Sequence, residues 1–221
     1  MTMITKGATA VAIMFMAATA SFGQAGGAAV PFLLISPDAR ASGMGDVGTA
    51  IADNVNAVFW NPAGLGFQNS RQIALSFSKW LPQFNADLFY SYGTYGQFIE
   101  AIDGTIAGTV IFMNLGEFTR TAPDGTALGK FRSNEFALGV SYGTHVAEDV
   151  CAGIQIKYIQ SNLAPAGPGQ AGAGVGISGA FDLGFLWKPQ KLSLFGENLD
   201  NVLSLGANLQ NVGPKVTYLN E

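Results

Sequence analysis

Residues 134–158 read NEFALGVSYGTHVAEDVCAGIQIKY, and this stretch decides the fold. Between Asn134 and His145 the even positions 136, 138, 140 and 142 carry Phe, Leu, Val and Tyr, while the odd positions carry small or polar side chains. The same alternation returns from Asp149 to Tyr158, after a break that is short enough for a hairpin. The stretch therefore predicts two antiparallel strands, each with one apolar face.

This alternation extends over most of the chain. It predicts further strands over residues 72–78, 84–93 and 175–188, and less regular ones over 105–119 and 202–219. A soluble sandwich and an outer-membrane antiparallel β-barrel both give such a pattern. We expect the barrel, because several segments have the length of tilted spanning strands and aromatic residues gather near strand ends. The polar faces are also rich in Gly, Ala and Ser, where a soluble sheet would carry more Lys and Glu.

The composition excludes several classes of protein. Only 12% of the 221 residues are charged, against roughly 25% in a typical soluble domain. The net charge of -4 argues against nucleic acid as a partner. The chain has one cysteine, Cys151, and one histidine, so its sequence offers no cluster of metal ligands. We expect no metal and no cofactor.

The N-terminus has the layout of a secretory signal. A short positive start, Met1–Lys6, precedes the apolar run Ala8–Ala20, which is too short to cross a bilayer as a helix. We expect cleavage before Gln24 and export across the inner membrane. The predicted organisation is a signal peptide at residues 1–23, a plug-like segment at 24–70 and a partial β-barrel at 71–221.

The predicted plug-like segment does not alternate. The small residues of Ser36–Asp46 predict a short helix, and Asn61–Gly64 predicts a turn. A segment placed before barrel strands is a candidate plug for the lumen, with Arg40 paired to a carboxylate, although solvation of these charges at the periplasmic mouth stays an alternative. The candidate plug or lumen residues are Asp38, Arg40, Gly43, Met44, Gly45, Asp46, Asn61, Pro62 and Gly64. The candidate lumen-facing polar residues of the strands are Glu135, His145, Asp149, Lys157 and Asp182.

Three motifs in this segment resemble a known family. They are SPDARA at 36–41, GMGD at 43–46 and WNPAGL at 60–65, and they resemble the N-terminal signature of the PorV/PorQ family of outer-membrane proteins of the type IX secretion system. Residues 203–218 are similar to a later segment of the same family. The element NPAGL alone also occurs in the broader FadL-like family of barrels that pass hydrophobic compounds.

The resemblance implies a FadL-like barrel of fourteen strands and the role of a carrier. About half of such a barrel is present here, and an open edge has no partner in lipid. We expect a truncated product, while closure as a smaller barrel of eight strands is the alternative. The implied location is the outer membrane of a Gram-negative bacterium. The implied partners are outer-membrane lipid, secreted cargo with a C-terminal signal domain, the translocon and the surface attachment complex.

Two other functions compete with that of a carrier. A FadL-like transporter of hydrophobic compounds is the alternative, and it requires an apolar pocket in the lumen. A hydrolase is not expected, because Ser141 lies four residues from His145 on one strand, at about 13 Å, beyond hydrogen-bond reach.

Overall fold

The computed structural model describes residues 30–81, 83, 87–164, 174–194 and 196–218, so the predicted signal peptide lies outside the described residues. The described strands are β1 Gln72–Trp80, β2 Leu88–Ile99, β3 Gly104–Thr121, β4 Ala127–Ala147, β5 Val150–Ala164, β6 Gly174–Trp187, β7 Ser193–Leu194, β8 Glu197–Asn198 and β9 Leu205–Val212. Seven of them form one antiparallel sheet in the order β1-β2-β3-β4-β5-β6-β9, and β7 pairs with β8. The predicted all-β architecture is confirmed. Among the described residues the sheet is open, with β1 and β9 at its edges.

Strand boundaries differ from the sequence prediction at a few points. β4 begins at Ala127 and pairs with β3 as far as Thr121, so this hairpin is longer than the alternation suggested. β2 begins at Leu88, and residues 84–86 of its predicted start lie outside the described part. β9 ends at Val212, before Gly213 and Pro214, because proline has no backbone N–H to donate to a neighbouring strand.

The two faces of the sheet differ in polarity. The apolar face is open to its surroundings: Leu75 is 79% exposed, Val140 65% and Ile156 64%. A soluble sandwich would bury this face under a second sheet, whereas no described element covers it. We call it the outer face, and it fits a barrel wall.

The opposite, inner face is covered by residues 30–67, which we call the inner segment. Its short helices are Pro31–Leu34 (3-10), Ala39–Gly43 (α), Ala57–Trp60 (α) and Pro62–Phe67 (3-10). Phe32 and Leu33 pack against Tyr90, Tyr92 and Ile159 of the sheet, and these side chains are almost fully buried. The largest hydrophobic cluster therefore lies between the inner segment and the sheet.

Short connections gather at one end of the sheet. β2 joins β3 through the 3-10 helix Glu100–Ile102 and Asp103, and β4 joins β5 through Glu148 and Asp149. We call this the short-turn end; the hairpin of β3 and β4 extends from the other end. Within the described ranges, no helix has the length and apolar character needed to cross a membrane.

Candidate functional site

Three glycines form a flat row on the inner face. Gly143, Gly153 and Gly184 are direct cross-strand partners on β4, β5 and β6. A Cβ atom on Gly143 would lie only 2.6 Å from the carbonyl oxygen of Pro62, and one on Gly153 would overlap the backbone of Pro62 and its successor. The 3-10 helix Pro62–Phe67 can therefore approach the sheet only where side chains are missing. The sequence analysis attributed the small inner-face residues to a lumen. At this row they instead make room for the backbone of the inner segment.

Asn61 fixes the inner segment to β6 at this row. Its side chain is fully buried, and its amide nitrogen donates to the carbonyl oxygens of Thr49 at 2.8 Å and Phe185 at 2.9 Å. Its Oδ1 accepts from the backbone N–H of Ala63 at 3.1 Å, which caps the 3-10 helix that Pro62 begins. The predicted turn at Asn61–Gly64 is thus a capped helix start.

A buried ion pair lies further along the inner face. The Nζ of Lys157 on β5 lies 2.6 Å from Oδ2 of Asp182 on β6, and the Asp182 side chain is fully buried. Lys157 also donates to Oδ1 of Asn211 at 2.7 Å, while the backbone N–H of Asn211 donates to Oδ1 of Asp182 at 2.7 Å. These bonds offset the cost of removing two charges from water, and they fix β9 against β6.

Gln155 connects this ion pair to the inner segment. With its amide nitrogen directed at Asp182, it donates to Oδ2 of Asp182 at 3.0 Å and to the carbonyl oxygen of Val58 at 3.1 Å. Its carbonyl oxygen accepts from the hydroxyl of Ser141 at 3.1 Å. Sequence analysis identified Lys157 and Asp182 but missed Gln155 and Asn211. The only sequence signal for Gln155 and Asn211 is that both are polar residues within predicted strands. Which inward residues of different strands meet depends on the register, and the sequence does not give the register.

The remaining strand candidates lie apart from this network. Glu135 is buried on β4 and accepts from the hydroxyl of Ser161 at 2.5 Å. His145 is exposed at the short-turn end, where its ring meets Phe67 edge to face at 5.0 Å between centroids. Asp149 is partly exposed at the same end and accepts from the backbone N–H of Gln190 at 3.0 Å.

The plug candidates divide into a buried and an exposed group. Asn61, Pro62 and Gly64 are buried against the sheet, and a Cβ on Gly64 would lie 2.5 Å from Ala52 Cβ. The exposed or partly exposed members are Asp38, Arg40, Gly43, Met44, Gly45 and Asp46. Gly45 and Asp46 have φ angles of 84° and 58°, which marks a left-handed turn after the helix.

Arg40 forms the carboxylate pair that its position suggested. Its Nη1 donates to both carboxylate oxygens of Asp53 at 2.9 Å. The hydrogen bond and the charge of Asp53 raise the pKa of the Arg40 guanidinium. The partner Asp53 was not among the sequence candidates, and Asp38 instead caps the helix that contains Arg40 through the Arg40 backbone N–H.

A cavity of about 250 Å³ opens between the start of the inner segment and the sheet, away from the short-turn end. Val30, Leu33 and Leu34 form one wall. Ile159 and Ala180 contribute apolar surface from the sheet, and residues 213–216 close a third side.

The outer face carries a row of aromatic rings. Phe77, Phe89 and Phe112 on β1, β2 and β3 follow one another at centroid distances of 5.6 Å and 5.8 Å, and Phe136 on β4 lies 5.9 Å from Tyr158 on β5. We call these five rings the aromatic row. The exposed apolar side chains between this row and the short-turn end include Ile73, Leu75, Ile106, Val110, Leu138, Val140, Ile154 and Ile156.

Comparison with protein families identifies this chain. The family model described as type IX secretion system protein PorV matches residues 19–221. The match covers most of the chain, so the protein belongs to this family, and the resemblance carried by its N-terminal motifs is confirmed. A search of curated proteins found no match.

Proposed function

We propose that this member of the PorV family is an outer-membrane carrier, which binds the C-terminal signal domain of secreted cargo and delivers it to the surface attachment complex. The observation that carries this proposal is the opposite character of the two faces of the sheet. The outer face is apolar and exposed, while the inner face is filled by the inner segment.

The height of the apolar outer surface supports the membrane location. It extends on β4 from Thr144 near the short-turn end to Asn134, ten residues away. At about 3.3 Å per residue and a tilt of about 40°, this distance corresponds to roughly 25 Å along the membrane normal. Outer-membrane barrels have an apolar band of about that height, with aromatic residues at its edges.

The filled inner face favours a carrier over an open channel. Asn61, the glycine row and the Lys157–Asp182 pair hold the inner segment and the strands together by buried bonds. A water-filled passage along this part of the sheet would need the inner segment to leave. The proposal requires no catalytic residue, because delivery involves binding and release.

Co-purification from outer membranes tests the carrier. The full-length protein is isolated with a secreted cargo that carries its C-terminal signal domain, and the matched control is the same cargo without that domain. We expect the first cargo to be retained together with translocon or attachment components, and the control to be lost. Equal retention of both cargo forms would refute the carrier.

A FadL-like transporter is the second candidate, and the cavity beside Leu33 favours it. Its apolar wall beside Leu33 and Ile159 has room for part of an acyl chain, while Ser178, Asn211 and Lys215 line the same cavity with polar groups. If hydrophobic compounds bind there, Ala180→Phe fills the space and lowers the binding of a radiolabelled fatty acid at least tenfold. Retention of cargo by the same variant distinguishes the two functions, because the carrier does not depend on an empty cavity.

A further inference from the structure

The outer face changes from apolar to charged at the aromatic row. We call the side of the row that faces away from the short-turn end the region above it. Between the row and the short-turn end the outward residues of β4 include Leu138 and Val140, whereas above the row, away from the short-turn end, they include Arg132 and Lys130. On β3 a bulge between Asn114 and Gly116 shifts the register by one residue. The outward residues of β3 therefore change from even to odd positions, and Glu117 lies opposite Arg132. Charged side chains therefore begin on the same face on which the apolar surface ends.

A polar row marks the boundary between the two regions. Asn114 and Asn134 are cross-strand partners directly above the aromatic row. Asn162 on β5 donates to Oδ1 of Asn134 at 2.9 Å, and Gln160 donates to Oδ1 of Asn162 at 3.1 Å. Amide side chains satisfy one another's hydrogen-bonding groups, which suits the boundary between hydrocarbon and water.

Given the membrane location proposed above, we infer that Lys130 and Arg132 form a docking site for the phosphate groups of lipid headgroups. Both are well exposed, Lys130 by 68% and Arg132 by 74% of the side chain. Arg132 lies two residues above Asn134, which is about 5 Å along the membrane normal for a strand tilted by about 40°. The headgroup layer is roughly 5 to 8 Å deep, so Arg132 lies within it. Lys130 lies four residues above Asn134, about 10 Å by the same measure, but its Nζ reaches back to Glu117, which is opposite Arg132.

Charge complementarity identifies the occupant. Guanidinium and ammonium groups bind phosphate by charge-assisted hydrogen bonds, and Arg can do so with two parallel bonds. Glu117 contacts Lys130 at 2.7 Å and lies 4.0 Å from Arg132, so its carboxylate competes for the same cations. Glu117 therefore weakens lipid binding at this site, and removing its charge strengthens it.

The opposite side of the same hairpin provides the matched control. Arg120 pairs with Gly129 and lies 5.7 Å above the ring of Phe131, on the inner side. Replacing it with glutamine changes the net charge by the same amount as Lys130→Gln or Arg132→Gln. Because Arg120 does not face the lipid, its replacement leaves lipid binding unchanged.

The test measures binding of phosphatidic acid to the full-length protein in nanodiscs of phosphatidylcholine. We expect Lys130→Gln and Arg132→Gln each to weaken binding about fivefold, as expected for one cation near an anionic surface. Glu117→Gln should strengthen it about fivefold. Salt at 0.5 M should weaken binding of the wild type more than that of a variant that carries both Lys130→Gln and Arg132→Gln. Free inorganic phosphate at the same concentration should not compete, because the proposed occupant is a headgroup held in the membrane.

Insertion into neutral nanodiscs, followed by strand content in circular dichroism, is measured for every variant. Loss of insertion in the wild type would refute the membrane location and with it the proposed function. Normal insertion with equal phosphatidic acid binding in wild type, Lys130→Gln, Arg132→Gln and Glu117→Gln would overturn the headgroup site alone. A loss in Arg120→Gln as large as that in Arg132→Gln would also overturn it, since net charge would then explain the effect.

Discussion

Gly153→Ala should release the inner segment from the sheet. A Cβ at this position would overlap the backbone of Pro62 and Ala63, and backbone atoms cannot rotate away as a side chain can. Overpacking of a close contact costs about 1 to 3 kcal/mol. Replacing glycine by alanine also reduces the entropy of the unfolded chain, which favours the folded protein by up to about 1 kcal/mol. We therefore expect a net loss of about 1 to 2 kcal/mol in the free energy of unfolding.

Gly108→Ala is the matched control. Gly108 lies on the outer face of β3, where a Cβ would meet no atom within 4 Å. At this position alanine only lowers the conformational entropy of the unfolded chain. The free energy of unfolding of Gly108→Ala should therefore equal that of the wild type or be slightly higher. The unfolded-chain effect is common to both variants, so they should differ by the overpacking cost alone, about 2 kcal/mol, although they carry the same substitution in one sheet.

Urea unfolding of the reconstituted full-length protein measures this difference. With a slope of about 2 kcal/mol per molar urea, the midpoint of Gly153→Ala should lie roughly 1 M below that of Gly108→Ala. Both glycine variants are made in a Trp80→Phe/Trp187→Phe background, so that tryptophan fluorescence follows Trp60 in the inner segment, while circular dichroism follows the strands. Equal midpoints for both variants would refute the close approach of the inner segment to β5, and with it the explanation of the glycine row.

Three further variants examine the other contacts of the inner face and its rim, each by the same urea titration. Asn61→Ala removes two donors from buried carbonyl oxygens and should cost about 2 kcal/mol; an unchanged midpoint would mean that water replaces both bonds. Asp182→Asn leaves the buried Lys157 without its carboxylate and should cost about 3 to 5 kcal/mol, whereas Asp182→Asn combined with Lys157→Met should recover part of that loss. Arg40→Gln breaks an exposed pair and should leave the midpoint unchanged within error; a clear loss would show that Asp53 holds the inner segment in place.

Much of the outer face could be predicted from residues 134–158 and their counterparts. Side chains alternate strictly between the two faces of a strand, so the positions of Val140 and Ile156 follow from their parity. Their exposure also follows once the charge content excludes a soluble surface. The same reasoning identifies Glu135, Lys157 and Asp182 as inward residues. Each lies on the strand face that carries mostly small residues, opposite the apolar face.

The partners of those inward residues could not be predicted. Asn61 and Phe185 are 124 positions apart in the chain, and Lys157 is 54 positions from Asn211. No local pattern connects them, because each contact depends on the register of several strands and on the path of the inner segment. Asn211 also has a positive φ of 55°, which asparagine tolerates and which no alternation reveals.

The sequence by itself determined the strand order along the chain, the apolar face and the family, because these depend on side-chain period and on contiguous motifs. Only the tertiary structure aligned Gly143, Gly153 and Gly184 and set the inner segment on them. The physical reason is that a glycine contributes no side chain to a pattern. Its role appears only when another backbone occupies the space that a Cβ would have taken.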